Sequence, residues 1–282
     1  MGTPYAEVIG DPVAHSKSPL IHKFWLEALG LPGDYRATRV TRDDLPAYFE
    51  ARRADPDWRG CNVTMPLKRA VLDMVDEVSP DAEAIGAVNI VARRGARLVG
   101  HNSDGAGFLE PLRPWLAERH LFRMARVFGA GGAARAIAHA LAGEGFTLVV
   151  GARDVGQAEA LIAKVGGEHH AVSLDHFAPP TDFAFDDRKG LLDLVVNATP
   201  LGAVGQPPLG LDWSHVPPGS IIYDIVTGPV ETALLIEAQR RGHDAIDGLR
   251  MLVGQADAAF RLFFGSPAPR EHDAELRRRL LA

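Results

Sequence analysis

The sequence predicts an α/β protein built as two units, the second of them a Rossmann-type dinucleotide-binding unit. Three observations carry this. The chain has 282 residues, enough for two domains of ordinary size. Strand-like and helix-like runs alternate along most of it. One stretch, Arg126-Val127-Phe128-Gly129-Ala130-Gly131-Gly132-Ala133-Ala134-Arg135, joins a short apolar run to Gly-x-Gly-x-x-Ala and then to an alanine-rich helical run, Ala133 to Ala142. Gly129 allows the tight turn off the strand. Gly131 lets a pyrophosphate approach the backbone with no Cβ in the way. Ala134 lets the helix pack close to the strand. The phosphates are expected on the free N–H groups at the helix N-terminus, where the macrodipole favours negative charge. A second strand, Thr147 to Val150, leads into Gly151-Ala152-Arg153-Asp154, about 20 residues past Ala134, where such folds read the adenosine ribose. The alternative is a tight strand-to-helix turn in an ordinary α/β domain.

Composition narrows the function classes. Hydrophobic content of 46% and charged content of 23% belong to a soluble globular chain. A net charge of −6 gives no general attraction to nucleic acid or to an anionic membrane surface. No apolar run reaches the ~18 residues a membrane span needs. The opening Met1-Gly2-Thr3-Pro4-Tyr5 lacks the basic-then-apolar layout of a signal peptide, which argues for the cytoplasm. A single cysteine, Cys61, excludes an internal disulfide and suits a reducing compartment. The 11 histidines form no metal-spaced set, so no metal site is expected, and His169-His170 reads as a solvated loop.

Taken in order, Tyr5 to Ile9 is a strand. It runs into a loop with two hydroxyls, Ser16 and Ser18, before a helix from Pro19 to Leu29 closed by Gly30. Side chains two apart in an extended segment point the same way, so both serines can grip one carboxylate; helix capping by Ser18 is the alternative. Tyr35 to Val40 is a strand, Asp43 to Arg53 a helix, and Gly60 to Val63 a strand entering Asn62-Val63-Thr64-Met65-Pro66-Leu67-Lys68. Pro66 restricts Met65 to extended geometry and can start a helix, which puts Lys68 in a first helical turn. A cation is disfavoured there, so a lowered pKa suited to proton transfer is expected, against the alternative of a solvated surface lysine. Asp81 to Ile85 is helical, and Gly86 to Val91 is a turn into a strand with Asn89 in an apolar run. Arg97 to Gly100 pairs back across Arg94-Gly95. Asp104 stands at a loop-to-helix junction, as an N-cap or as a partner for Lys68.

Phe108 to Leu121 is expected as one helix leading to the second unit, which starts at Ala125. Gln157 to Val165 is helical, and Ala178 to Lys189 is a loop. The strand Leu192 to Val196 ends in Asn197-Ala198-Thr199-Pro200-Leu201-Gly202, small and polar residues where parallel strands bind ligands. A turn in which Asn197 and Pro200 serve only the backbone is the alternative. Ser220 to Tyr223 is the next strand, ending at Asp224. Glu231 to Arg241 is a helix, and Asp247-Gly248 begins a turn. Leu252 to Phe264 is a packing helix with Gln255 on its first turn, returning to complete the first unit.

These pieces together resemble the shikimate/quinate dehydrogenases over nearly the whole length. The matching runs are Ser16-Lys17-Ser18-Pro19, Asn62 to Lys68, Gly86-Ala87-Val88-Asn89, Asn102-Ser103-Asp104-Gly105, Gly129 to Ala134, Asn197 to Gly202 and Asp247 to Gln255. The resemblance implies two α/β domains with a cleft between them. One is a substrate-binding catalytic domain, 1–105 plus 251–282; the other is a Rossmann NADP-binding domain, 106–250. It implies reversible NADP-dependent reduction of 3-dehydroshikimate to shikimate in aromatic amino-acid (chorismate) biosynthesis, by a monomer or homodimer. It makes Lys68 and Asp104 the catalytic pair. Ser16 and Ser18 hold the substrate carboxylate, and Thr64, Asn89 and Gln255 bind ring hydroxyls. It places the cofactor on Gly129, Ala130, Gly131, Gly132, Ala133, Arg153, Asp154, Thr199, Ile225 and Gly248.

Three departures bear on substrate and cofactor. Thr227 replaces a tyrosine with which the family contacts the substrate carboxylate, and Ile90 replaces a threonine after Asn89. These leave quinate or a related cyclic hydroxy acid as alternatives to shikimate. Arg153 matches the arginine that holds the NADP 2′-phosphate, whereas the adjacent Asp154 favours the free ribose diol of NAD. From another class, a non-catalytic dinucleotide-binding regulator is the alternative; it has no need of Lys68 or Asp104.

Overall fold

A computed structural model of the chain describes residues 2–186 and 188–282; Met1, in the opening segment read above, and Asp187, in the 178–189 loop, lie outside the described residues. The chain forms two units: the part up to Asp104 together with Val253–Ala282, and Gly105–Leu252. The first contains β1 (Tyr5–Gly10), α1 (Ser18–Ala28), β2 (Asp34–Arg39), α2 (Leu45–Ala54), β3 (Trp58–Val63), β4 (Glu77–Val78), α3 (Pro80–Ile85), β5 (Ile90–Arg94) and β6 (Arg97–His101). The chain continues through α4 (Asp104–Leu109), α5 (Arg113–Leu116), β7 (Phe122–Phe128), α6 (Gly132–Gly143), β8 (Thr147–Ala152), α7 (Val155–Val165), β9 (His170–Ser173), β10 (Leu191–Asn197), β11 (Ile221–Asp224), α8 (Ala233–Arg240) and β12 (Asp244–Ile246). α9 (Gly248–Phe264) and α10 (Asp273–Leu281) end the chain.

The first sheet has the order β2-β1-β3-β5-β6-β4. β1 runs parallel to β2 and β3, and the β5–β6 hairpin is antiparallel to β3. The second sheet is parallel throughout, in the order β12-β11-β10-β7-β8-β9. Numbered from β7, that is the doubly wound Rossmann order 3-2-1-4-5-6, with its switch point between β7 and β10. Its inner strands β10 and β11 are buried on both faces, and α6 lays Ala134, Ile137, Ala138 and Leu141 into the same core as Val127, Leu148 and Val196. Alanines there keep the helix close to the sheet while favouring helix formation.

Three expected elements differ. The helix expected from Phe108 to Leu121 is broken into α4, a 3₁₀ turn at Glu110–Leu112, and α5. Pro111 and Pro114 each lack the N–H that a continuous helix requires. His169-His170 is not a solvated loop: the His169 ring nitrogen Nδ1 accepts from the Leu148 backbone N–H at 3.1 Å, and His170 opens β9. α9 starts a turn earlier than its apolar pattern, because the Asp247 carboxylate accepts the Leu249 N–H at 3.0 Å. Gln255 therefore lies beyond the first turn. Ile90 is core: it is 1% exposed and packs with Ala6, Val8, Tyr35 and Phe263, so its side chain fills an apolar layer.

Inside the first unit two buried polar groups are treated oppositely. Glu7 is fully buried, and its carboxylate accepts from Thr38, from the Tyr48 hydroxyl at 2.9 Å and from Arg52 Nε at 2.5 Å. His22 is also fully buried, but it stacks on Tyr35 at 4.0 Å among Trp25, Phe260 and Phe263, with neither ring nitrogen bonded. Burial pushes its pKa down to about 3. The folded chain keeps the ring neutral, whereas the unfolded chain protonates it below about 6.5. This group has no effect on stability above pH 6.5 and removes about 1.4 kcal/mol per pH unit as pH falls below it toward 3. His22→Phe is expected to flatten the pH dependence of the unfolding free energy from urea denaturation by that amount between pH 6.5 and 4; parallel curves for the two proteins would show that His22 is protonated in the folded state.

Candidate active site

The topology of the first sheet collects the sequence-predicted polar residues at one end. β1 and β3 are parallel neighbours, so the Ser16–Ser18 loop and the Thr64–Lys68 turn leave the same edge. β5 enters from that edge and β6 returns to it, with Asn62 opposite Ile90 and Ile90 opposite His101. Asn89 and the Asn102-Ser103-Asp104 run are thereby set beside Lys68.

Lys68 Nζ lies 2.5 Å from Asp104 Oδ2; the side chains are 16% and 5% exposed. Lys68 is not in the first turn of a helix. After Met65-Pro66 the chain makes a turn closed by Leu67 N–H to Thr64 carbonyl at 3.0 Å, and the Lys68 carbonyl accepts the Val88 N–H at 2.8 Å. The unfavourable helix dipole expected there is absent, and the carboxylate of Asp104 sets the lysine's environment. The capping alternative for Asp104 also fails: it is the first residue of α4, but Asn102 Oδ1 accepts its N–H at 3.0 Å while its own carboxylate faces Lys68 and Asn89.

Asn89 is the hub. Its Nδ2 approaches Asp104 Oδ1 at 2.9 Å, Ser103 Oγ at 3.1 Å and Gln255 Oε1 at 3.3 Å, and its Oδ1 accepts the Ser103 N–H at 2.9 Å. Ser103 Oγ donates to the Gln255 carbonyl at 2.9 Å, tying α9 into the cluster. Sequence reasoning gives Ser103 and Asn102 no role beyond their motif; their adjacency to Asp104 is the available signal. Asn62 reaches the Asn89 carbonyl at 3.4 Å and accepts the Tyr35 hydroxyl at 2.6 Å, a support that no spacing could reveal. Ser16 Oγ accepts the Ser18 N–H at 3.3 Å, and α1 begins at Ser18 with no side-chain cap, so the capping role considered for Ser18 is not used. Thr64 is half-buried at the end of β3.

In the second unit the predicted cofactor residues follow the C-terminal ends of β7, β8, β10, β11 and β12, with the β7 and β10 ends flanking the switch point. Gly129 has φ 112°, and a Cβ there would stand 2.8 Å from the Ala198 carbonyl, so both conformation and space demand glycine. Gly131 differs: its φ is −74°, and a Cβ would meet nothing within 4 Å. The fold alone does not require glycine at 131, whereas a phosphate seated on the Gly132–Ala133 N–H groups of α6 does. That helix start has no side-chain cap. Arg153 is exposed and has no hydrogen bond or ion pair among the described residues, while the Asp154 carboxylate takes the Gln157 amide at 2.9 Å. Thr199 Oγ1 donates to Asn197 Oδ1 at 2.7 Å. Gly248 packs so close to Ile225 and Val226 that a Cβ would lie 2.4 Å from the Val226 carbonyl. These residues fit a dinucleotide with a 2′-phosphate.

Asn197 and Asp224 exceed the backbone roles considered for the first. Asp224 is fully buried and accepts from Asn197 Nδ2 at 3.0 Å, Val226 N–H at 3.0 Å and Thr232 Oγ1 at 2.7 Å. Burial raises its pKa, and the three donors hold it back. The clamp fixes the ends of β10 and β11 to the start of α8. Among the described residues no group of three or more His, Cys, Asp or Glu could hold a metal ion, and no helix is long and apolar enough to cross a membrane.

A parallel Rossmann sheet with a glycine turn, together with a lysine–aspartate pair in its companion unit, defines a dinucleotide-dependent oxidoreductase. The family profile described as the shikimate dehydrogenase substrate binding domain matches residues 8–91, and that of the shikimate 5′-dehydrogenase C-terminal domain matches residues 248–275. A shikimate dehydrogenase (NADP(+)) of Sphingopyxis alaskensis is 49% identical over 99% of this chain and 98% of its own length. The crystal structure of shikimate 5-dehydrogenase from Thermus thermophilus in complex with NADP(H) and shikimate matches with a TM-score of 0.82 and 38% identity, over 99% of this chain and all of that one. The ligand-free 5-ketofructose reductase of a Gluconobacter species matches with a TM-score of 0.82 at 28% identity, over 99% of each chain. The chain belongs to the shikimate dehydrogenase family, oxidoreductases acting on a CH–OH group.

The two glycines of the turn separate folding from binding. Gly129→Ala is expected to lower unfolding stability by about 2 kcal/mol, from a positive φ and a crowded Cβ. Gly131→Ala is expected to leave it within about 0.5 kcal/mol. Urea denaturation of the two variants checks this; equal losses would mean that Gly131 is a structural glycine.

Proposed function

We propose that this chain catalyses the reversible NADP-dependent interconversion of 3-dehydroshikimate and shikimate, with the unit built on the first sheet binding the substrate and the Rossmann unit binding NADP. The observation that carries the reading is the 2.5 Å Lys68–Asp104 pair, locked by Asn89 at the edge where the Ser16–Ser18 loop also emerges. A non-catalytic dinucleotide binder has no use for that pair.

In this reading Ser16 and Ser18 hold the substrate carboxylate, and Thr64, Asn89 and Gln255 receive the ring hydroxyls. Asp104 orients the lysine and accepts a neighbouring hydroxyl. Lys68 gives its proton to the carbonyl oxygen during reduction and takes it back during oxidation; its partial exposure lets water restore it. NADP, when bound, supplies or takes up the hydride at the carbon bearing that oxygen. Gly129, Ala130, Gly131, Gly132 and Ala133 cradle the pyrophosphate, and Arg153 pairs with the 2′-phosphate. Thr199, Ile225 and Gly248 complete the cofactor site. The lone buried thiol of Cys61 fits a cytoplasmic setting for such a biosynthetic step.

A related cyclic hydroxy acid such as quinate is the second reading. Thr227 leaves it open, since a threonine cannot span the gap a tyrosine fills, and the fold match to 5-ketofructose reductase shows the same architecture in an enzyme of another name. Assays of NADP and NAD reduction with shikimate and with quinate separate the readings.

Lys68→Met is expected to lower kcat by about 10²–10⁴-fold with KM for shikimate changed only a few-fold. A near-wild-type kcat would remove Lys68 as the proton carrier. Arg153→Ala is expected to raise KM for NADP by about tenfold or more, the loss of a charge-assisted contact, with KM for NAD unchanged. Equal losses for both cofactors would count against the 2′-phosphate role.

A further inference from the structure

Lys17 stands between the two serines of the carboxylate loop and at the N-terminal boundary of α1. That is the positive end of a helix, where an ammonium is disfavoured. Its Nζ is turned instead to the far end of the chain, donating to the Leu280 carbonyl at 2.5 Å. Leu280 lies in the last turn of α10, whose carbonyls lack intrahelical donors and carry the negative end of the helix dipole. One cation thus leaves a helix start that repels it and completes a helix end that attracts it. The same helix is latched to α1 at further points. Arg279 lies 4.8 Å over the Phe24 ring and 3.5 Å from the Glu27 carboxylate, His272 in the turn just before α10 meets Phe24 edge-on, and Leu276 and Leu280 are buried.

We propose that α10 is the positioning element of the carboxylate-binding loop, acting through Lys17. The latch fixes the backbone on either side of Lys17, so that the Ser16 and Ser18 hydroxyls are held ready for one carboxylate. It also keeps the ammonium out of the site, so that Lys17 acts on substrate affinity without touching substrate. This rests on the reading that Ser16 and Ser18 hold the substrate carboxylate.

The test is steady-state kinetics on the full-length enzyme and its variants. Lys17→Met is expected to raise KM for shikimate about tenfold, the scale of a favourable charge–helix-end contact, with kcat and KM for NADP within about twofold of wild type. Lys17→Arg, which keeps a cation of similar reach, is expected to restore most of the affinity. Deletion of residues 277–282 is expected to raise KM for shikimate by a similar factor, and adding Lys17→Met to the deletion to cause little further loss. The proposal is overturned if Lys17→Met leaves KM unchanged while Ser18→Ala raises it. It is overturned equally if the Lys17→Met and deletion effects multiply, which would mean that Lys17 contacts substrate directly. If Ser18→Ala itself leaves KM unchanged, the carboxylate reading fails first and the proposal with it.

Discussion

The side-chain amide of Asn89 is the constraint on which the candidate site depends. One carboxamide faces Asp104, Ser103 and Gln255 while accepting the Ser103 N–H. It joins the start of β5, the loop after β6 and the middle of α9, three segments far apart in the chain. A buried amide has few ways to satisfy its donors and acceptor, and an unsatisfied one costs about 1–3 kcal/mol. The arrangement that satisfies Asn89 is also the one that aims Asp104 at Lys68. Fold stability and site geometry are therefore coupled through the same atoms.

The second unit solves a parallel problem with a different device. Its strands must end in loops that leave backbone N–H groups open, yet the loops must not wander. Asp224 meets both demands by drawing Asn197, the Val226 N–H and Thr232 onto one buried carboxylate. The ends of β10 and β11 are held together, and the start of α6, which follows the neighbouring strand β7, has no side-chain cap. Gly129 and Gly131 divide the labour along the turn itself: the first is demanded by the chain's own carbonyl at Ala198, the second by nothing in the chain. That contrast is the observation behind the cofactor contact proposed at Gly131.

Much of this is legible in the residues. Strands β1, β3, β7, β8, β10 and β11 read directly from apolar runs, and the glycine turn from its spacing. Other features are hidden for physical reasons. Pro111 and Pro114 interrupt a helix whose apolar period continues through them, so the period misleads. β9 and β12 are short edge strands whose sequences carry polar residues, and β-propensity there is weak against context. α10 is strongly charged, with its apolar contacts confined to a narrow stripe. Lys68 is legible from its side chain, but the helix expected around it does not form, because the Val88 N–H takes its carbonyl and turns the backbone.

The sequence by itself determined the alternation of elements, the Rossmann turn and the residue types of the chemistry, because these rest on local period and on motifs a few residues long. Only the tertiary structure decided which groups meet. The Lys68–Asp104 pair, the Asn89 hub, the buried Asp224 clamp and the reach of Lys17 to Leu280 join residues separated by up to 263 positions. No local pattern encodes such pairings; they follow from strand order, which fixes the edge each loop leaves and therefore which side chains must share a site.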